Sequence, residues 1–162
     1  MNIFVLDLDP QKAAICQCDK HVVKMVLESA QMLCSALWRH DIEAPYKAAY
    51  TKHPCTVWAG DTRANFKWLA LHALSLLEEY EARYHKKHKS EHALRFAYEN
   101  RWSIPYGTLT DFAQAMPDQY KDPDPVIAYR RYYLGEKMGF ATWKRNRPFW
   151  VPPDAEEEKY DY

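Results

Sequence analysis

The chain has 162 residues, with 22 basic and 22 acidic side chains, so its formal net charge is zero. The charge is unevenly distributed, because residues 154–162 contain five acids and one lysine, and residues 1–153 therefore carry +4. This weak positive charge argues against a protein that binds nucleic acid over its whole surface. The length predicts one domain over residues 1–153, followed by an acidic tail over residues 154–162 that we expect to be disordered.

The sequence contains no apolar run long enough to span a membrane, and no signal peptide opens it. Its four cysteines lack the two-residue spacing of zinc and redox motifs, which favours reduced thiols. Both features predict a cytoplasmic protein without a membrane partner. Aromatic residues make up 15% of the chain, and such side chains either fill a core or stack on bases, so composition does not decide between these uses.

The first half of the chain predicts three helical segments after an apolar start. Residues 1–8 fit either a strand or an extended arm, and Asp9 then predicts the N-cap of a helix. Residues 18–38 contain no glycine or proline and predict a long central helix, which Asp19 can cap. A further apolar pattern runs from residue 55 to residue 84 and is broken near residues 59–61, where Asp61 can cap the second part.

The second half predicts shorter helices separated by loops. Residues 91–100 form one amphipathic pattern, and Asp124 followed by Pro125 predicts the start of another helix. Residues 139–150 are rich in aromatic and basic side chains. No set of strand patterns is large enough for a sheet, so we expect a compact all-α fold of about five to six helices with a short extended N-terminal arm.

The central helix divides into a wide apolar arc, which includes Val23 and Leu27, and one narrow polar ridge. A mostly apolar helix with a single polar ridge is typical of a buried helix that lines a cleft. One interpretation of Lys24 and Glu28 is an exposed i,i+4 ion pair worth a few tenths of a kcal/mol. The other is a carboxylate tuned for catalysis in a partly dry pocket. The ridge consists of His21, Lys24, Glu28, Gln31 and Ser35.

Three blocks of the sequence resemble the pyrimidine-dimer DNA glycosylase (phage endonuclease V) family. The first is Asp19-Lys20-His21 with Glu28 seven residues after the histidine. The second is His53-Pro54-Cys55-Thr56-Val57-Trp58, followed by a long helix that ends in Glu79-Tyr80-Glu81-Ala82-Arg83-Tyr84. The third is Tyr129-Arg130-Arg131-Tyr132-Tyr133-Leu134-Gly135. The chain also resembles small phage-encoded proteins of unassigned function, which would place it in the host cytoplasm.

The resemblance implies a compact all-α enzyme that uses no metal and no cofactor. In this family the N-terminal α-amine attacks C1′ of the damaged nucleotide and forms an imine, and a glutamate assists the later strand cleavage. An α-amine is partly neutral near neutral pH and can therefore act as a nucleophile. A carboxylate near C1′ offsets the positive charge that develops as the glycosidic bond breaks.

Transferred to this chain, the resemblance assigns the catalytic carboxylate to Glu28 and a supporting role to His21. Because the second residue is the bulky Asn2, we expect the initiator methionine to be retained, which makes Met1 the source of the amine. Leu27 and Gln31 occupy the positions where the family has arginines, so other cations would have to bind phosphate. The residues we expect to bind DNA or ligand are Asn2, Lys24, Gln31, His53, Arg130, Arg131, Tyr132, Trp143, Lys144 and Arg145.

Two functional hypotheses follow from the sequence. The first is a DNA glycosylase and abasic-site lyase whose partner is damaged duplex DNA. The second is a non-catalytic protein that binds a nucleotide or a similar small ligand in the same cleft. The neutral charge and the missing arginines favour the second hypothesis, whereas the spacing between His21 and Glu28 favours the first. The sequence gives no indication of the oligomeric state.

Overall fold

The structure is a computed structural model that describes residues 1–153. These residues form six α-helices and no β-strand, which confirms the predicted all-α class. The acidic tail lies outside the described residues. The helices are α1 (Pro10–Ile15), α2 (Asp19–Arg39), α3 (Pro54–Asp61), α4 (Arg63–Tyr84), α5 (Glu91–Glu99) and α6 (Pro125–Tyr132), with a π-helical turn at Tyr133–Lys137 and 3₁₀ turns at Arg101–Ser103 and Asp118–Tyr120.

Two helix starts are those that the local sequence predicts. Asp9 accepts hydrogen bonds from the backbone N–H groups of Gln11 and Lys12 at 2.9 and 3.0 Å, and a proline follows it as the first residue of α1. Asp124 caps α6 in the same way, again with a proline next in sequence. These caps satisfy N–H groups that have no partner within the helix.

Two other predicted caps are wrong. Cys18 is the N-cap of α2, and Asp19 lies inside the helix with its carboxylate directed to other parts of the chain. Thr62, not Asp61, caps α4, because its hydroxyl accepts a hydrogen bond from Asn65 N at 3.1 Å. Asp61 instead ends α3 and forms an ion pair with Arg39 at 3.0 Å. Both aspartates are drawn to arginines that are distant in sequence.

The core lies where α2 packs against α4, with α1, α3 and α5 around this pair. Leu33 of α2 and Leu69 of α4 are fully buried, and burial of such a side chain contributes roughly 1.5–3 kcal/mol. Trp58 and Trp68 are buried edge to face with ring centroids 6.1 Å apart. These tryptophans therefore belong to the core and are not a surface for stacking bases. No helix within residues 1–153 is both long enough and apolar enough to cross a bilayer.

A buried cluster of charged side chains joins the ends of α1, α2 and α4 to the C-terminal segment 142–146, which we call the strap. Arg83 donates to Glu79 Oε1 at 2.9 Å and to Asp19 Oδ1 at 3.1 Å. Arg145 of the strap donates twice to the Glu79 carboxylate at 2.9 and 2.8 Å, and Asn146 donates once at 2.9 Å. Burial raises the pKa of Glu79, but these donors outweigh it and hold the pKa below its ordinary value.

We expect Glu79→Gln to lower the free energy of unfolding by about 3 kcal/mol, because removing one charge of a buried cluster leaves the opposite charges uncompensated. Urea denaturation followed by circular dichroism measures this change. Glu78→Gln is the matched control, because Glu78 is adjacent in sequence and its carboxylate is exposed. Equal stability of the two variants would contradict a structural role for the cluster.

Candidate active site

The N-terminal amine and the carboxylate of Glu28 form an ion pair at the surface of α2. The amine lies 3.2 Å from Glu28 Oε1, and the Glu28 side chain is only 15% exposed. Its second oxygen, Oε2, is buried without a hydrogen-bond partner among the described residues, and Lys24 Nζ is 4.0 Å away from it. The site thus combines an α-amine, a carboxylate with one oxygen that lacks a hydrogen-bond partner among the described residues, and a nearby cation.

The polar ridge that the sequence predicts is present on α2, but its members differ in burial. His21 and Ser35 are buried, Lys24 is exposed, and Glu28 and Gln31 are half-buried. Val23 and Leu27 were expected on the buried apolar arc, yet they are 38% and 42% exposed, because they lie beside the ridge on the solvent side of the helix. Lys24 and Glu28 do form the i,i+4 ion pair at 4.0 Å, but only the lysine is exposed.

The N-terminal arm, residues 1–8, brings the amine to Glu28. It is irregular and forms no strand, which resolves the two alternatives in favour of an arm. Asn2 is buried, and its side-chain oxygen accepts from the N–H groups of Ile3 and Phe4 at 2.8 and 3.2 Å while its amide donates to Ala115 O at 2.9 Å. These contacts engage Asn2 within the arm, and its role in binding ligand stays a prediction. The Met1 side chain is 2% exposed, so the thioether packs into the protein.

His21 anchors the arm through Phe4. The two rings stack with centroids 4.5 Å apart, and His21 Nδ1 lies 2.6 Å from the hydroxyl of the buried Tyr133. Burial, together with the positive charges of Lys137, Lys24 and Lys20, lowers the pKa of His21 to about 3. The imidazole is therefore neutral at neutral pH. This geometry makes His21 a positioning residue and not a proton donor.

His53 lies at the other side of the ion pair, as the N-cap of α3. Its Nδ1 accepts a hydrogen bond from Cys55 N at 3.1 Å, which places the ring proton on Nε2. Burial and the positive amine lower the pKa of His53, whereas Glu28 raises it, so the ring is within electrostatic reach of both groups. Burial raises the pKa of the Cys55 thiol to about 12, which removes it as a competing nucleophile.

Three lysines and two aromatic rings surround the end of the ridge near His21. Lys20 Nζ lies 4.8 Å from the centroid of the Phe140 ring, and Lys137 Nζ lies 4.6 Å from that of Tyr132. Together with Lys24 these cations make the surroundings of His21 positive. The sequence predicted Lys24 and Tyr132 as site residues but not Lys20, Lys137 or Phe140. For Lys137 and Phe140 the reason is that only the folded chain brings the segment after α6 onto α2.

The other predicted binding residues are engaged elsewhere in the fold. Arg130 Nε donates to Leu6 O at 3.0 Å and supports the arm, and Arg131 pairs with Asp122 at 3.2 Å. None of the contacts within residues 1–153 joins this group to Met1 or Glu28. The remaining members lie on the strap or next to it: Trp143 donates to Cys16 O, Lys144 N donates to Asp19, and Arg145 pairs with Glu79.

Within the part of the chain that the structure describes, no three His, Cys, Asp or Glu side chains are grouped so that they could hold a metal ion.

Comparison with known proteins gives one match. A family model described as pyrimidine dimer DNA glycosylase matches residues 1–92, which is more than half of the chain. The matched region contains the amine, Glu28, His21 and His53, whereas the block at residues 129–135 lies beyond it. Searches among curated proteins and among solved structures found no match.

We expect the free energy of unfolding to fall in acid, because His21 binds a proton in the unfolded state but stays neutral in the folded state. Its pKa is about 3 in the folded protein and 6.5 as a free side chain, so the unfolded state binds more protons between these values. Between pH 7 and pH 5 the wild-type protein should lose about 2 kcal/mol more than His21→Gln. Urea denaturation at the two pH values measures this difference. His92→Gln, at an exposed histidine, should behave like the wild type, and equal losses in all three proteins would contradict a buried neutral His21.

Proposed function

The chain belongs to the family of pyrimidine-dimer DNA glycosylases, and on that premise we propose that it excises a damaged base from duplex DNA and then cleaves the strand. The nucleophile is the α-amine of Met1, and Glu28 is the catalytic carboxylate. The observation that carries this proposal is the 3.2 Å contact between the two groups in a partly buried site. This contact joins Met1 and Glu28, to which the resemblance of the sequence assigned the amine and the carboxylate.

In the first step the amine nitrogen forms a bond to C1′ of the damaged nucleotide. The bond between C1′ and the base breaks, and the electron pair leaves with the base, which takes up a proton. The amine must be neutral to attack, and Glu28 Oε1 at 3.2 Å is placed to accept its proton and to pass that proton to the departing base, which leaves Glu28 ionised again. The buried thioether of Met1 holds the terminus in place.

In the second step the sugar ring opens and an imine forms between C1′ and the amine. Removal of a proton from C2′ then moves an electron pair into a new C2′–C3′ double bond and expels the phosphate at C3′. A carboxylate next to the cationic imine stabilises its charge more strongly in a half-buried site than in water. The Glu28 carboxylate, whose Oε2 lacks a hydrogen-bond partner among the described residues, takes the C2′ proton.

The DNA backbone is held by the lysines that surround His21. Lys20 and Lys137 form no ion pair with a described carboxylate, so their charges remain available to phosphates. They would do the work of the family's two arginines, whose positions are occupied here by Leu27 and Gln31. Tyr132 and Phe140 provide rings beside these cations, and a nucleotide lifted out of the duplex can stack on such rings.

Glu28→Gln is expected to reduce strand cleavage at a thymine dimer or an abasic site about a hundredfold or more, since a neutral amide cannot offset the charge near C1′ or accept a proton. The measurement is single-turnover cleavage of a labelled duplex, with an unchanged thermal transition as proof of folding. Glu99→Gln, an exposed carboxylate on α5, is the control and should cleave like the wild type.

Full activity in Glu28→Gln would refute the catalytic role of this carboxylate. A wild-type protein that is folded, cleaves neither substrate and binds a free nucleotide would instead support the alternative of a non-catalytic binding protein.

The lysines are tested separately through the salt dependence of binding. Lys20→Ala combined with Lys137→Ala should reduce the slope of log K against log salt by about two for an abasic duplex, because each phosphate contact contributes roughly 0.9. Fluorescence anisotropy over a range of salt concentrations measures the slope. Lys86→Ala combined with Lys89→Ala removes two exposed lysines beyond α4 and should leave the slope unchanged; a similar loss in both pairs would indicate only a general effect of charge.

A further inference from the structure

A second group of cations and aromatic rings lies at the start of α4 and in the segment after α5. We call it the Trp102 patch, and it consists of Arg63, Lys67, Arg101, Trp102 and Tyr106. Only its first two members fall within residues 1–92, so the family match does not account for it. Neither the proposed chemistry nor the packing of the core uses these side chains.

The positive charge of the patch is not neutralised. None of the ion pairs within residues 1–153 involves Arg63, Lys67 or Arg101. By contrast, Arg39, Arg83 and Arg145 each pair with a carboxylate. Three uncompensated cations in one place favour an anionic partner.

The rings of the patch are unusually exposed. Trp102 is 63% exposed and Tyr106 is 84% exposed, although aromatic side chains of this size are normally buried in large part. The Arg63 guanidinium lies 5.2 and 5.9 Å from the centroids of these two rings, and that of Arg101 lies 4.7 Å from Trp102. The groove between them measures about 200 Å³ and is open to solvent. It is smaller than the roughly 300–1,000 Å³ of pockets that enclose a small molecule.

The patch is held in a fixed shape before any partner binds. Arg63 donates to Ile104 O and to Trp102 O, each at 3.1 Å, and its backbone N–H donates to Pro105 O at 2.9 Å. Gly107 lies so close to α4 that a Cβ atom on it would come within 2.8 Å of the Thr62 side chain. Because these contacts fix the backbone, binding would cost little ordering of the loop.

We propose that the Trp102 patch binds an unpaired DNA strand that extends from the duplex substrate, with bases stacked on Trp102 and Tyr106 and phosphates on the three cations. This inference rests on the proposed function, since it assumes DNA as the substrate. An unpaired strand fits better than a duplex, because the bases of a duplex are already stacked and offer no free faces to a ring. Alternating cations and exposed rings are the pattern of single-strand binding surfaces.

The test compares binding to two abasic duplexes, one blunt and one with a single-stranded oligothymidine tail. The wild-type protein should bind the tailed duplex more tightly, and Trp102→Ala combined with Tyr106→Ala should lower that affinity by about thirtyfold or more, because the variant loses two base–aromatic contacts that are each worth roughly 1–3 kcal/mol. Phe149→Ala is the matched control, since this ring is 92% exposed and also lies beneath an arginine.

Cleavage of the blunt abasic duplex is measured with the same proteins, so that the two proposals can fail separately. Unchanged cleavage together with loss of the tail effect in the Trp102 and Tyr106 variant supports the inference. Normal cleavage without any tail effect in the wild type, or an equal loss with Phe149→Ala, overturns it. If the wild-type protein cannot cleave but binds the tail through the patch, the strand-binding site is supported and the proposed function is refuted. Lys67→Ala, at an exposed position, provides a second variant that should weaken tail binding and lower its salt slope.

Discussion

The ion pair between the Met1 amine and Glu28 depends on the packing of the N-terminal arm against α2. Phe4 adopts a φ of 34°, which is unfavourable for a bulky residue and costs of order 1–3 kcal/mol. Stacking on His21 and edge contact with Tyr133 repay part of this cost, together with the burial of the ring itself. The polar ridge therefore contributes in two ways: His21 holds the arm in place, and Glu28 forms the ion pair with the amine at the start of the arm.

The net charge of zero conceals two groups of cations, those that pair with carboxylates and those that do not. Arg83 and Arg145 are bound to the buried carboxylate of Glu79, where they close the strap over the ends of the helices. Lys20 and Lys137 lie near His21 and pair with no described carboxylate. The cations of the Trp102 patch also pair with no described carboxylate. A zero net charge for the whole chain is compatible with local positive charge at these two places.

Local signals in the sequence predicted the fold class and some helix boundaries, but distant contacts decided the rest. Asp9 caps its helix because the chain next to it supplies both proline and free N–H groups. Asp19 has the same local signal, yet Arg83 and the strap attract its carboxylate, and no local pattern reports that. The contact between His21 and Tyr133 spans 112 positions, so the buried, neutral state of the imidazole could not be read from the spacing that identified Glu28.

The most direct test of the account is borohydride trapping on an abasic duplex, followed by peptide mapping of the covalent product. Borohydride reduces an imine to a stable amine and so marks the nitrogen that attacked C1′. Two amines lie near Glu28, the α-amine of Met1 at 3.2 Å and the ε-amine of Lys24 at 4.0 Å. We predict that the adduct maps to the α-amine of Met1. An adduct on Lys24, or none from folded protein, would contradict it.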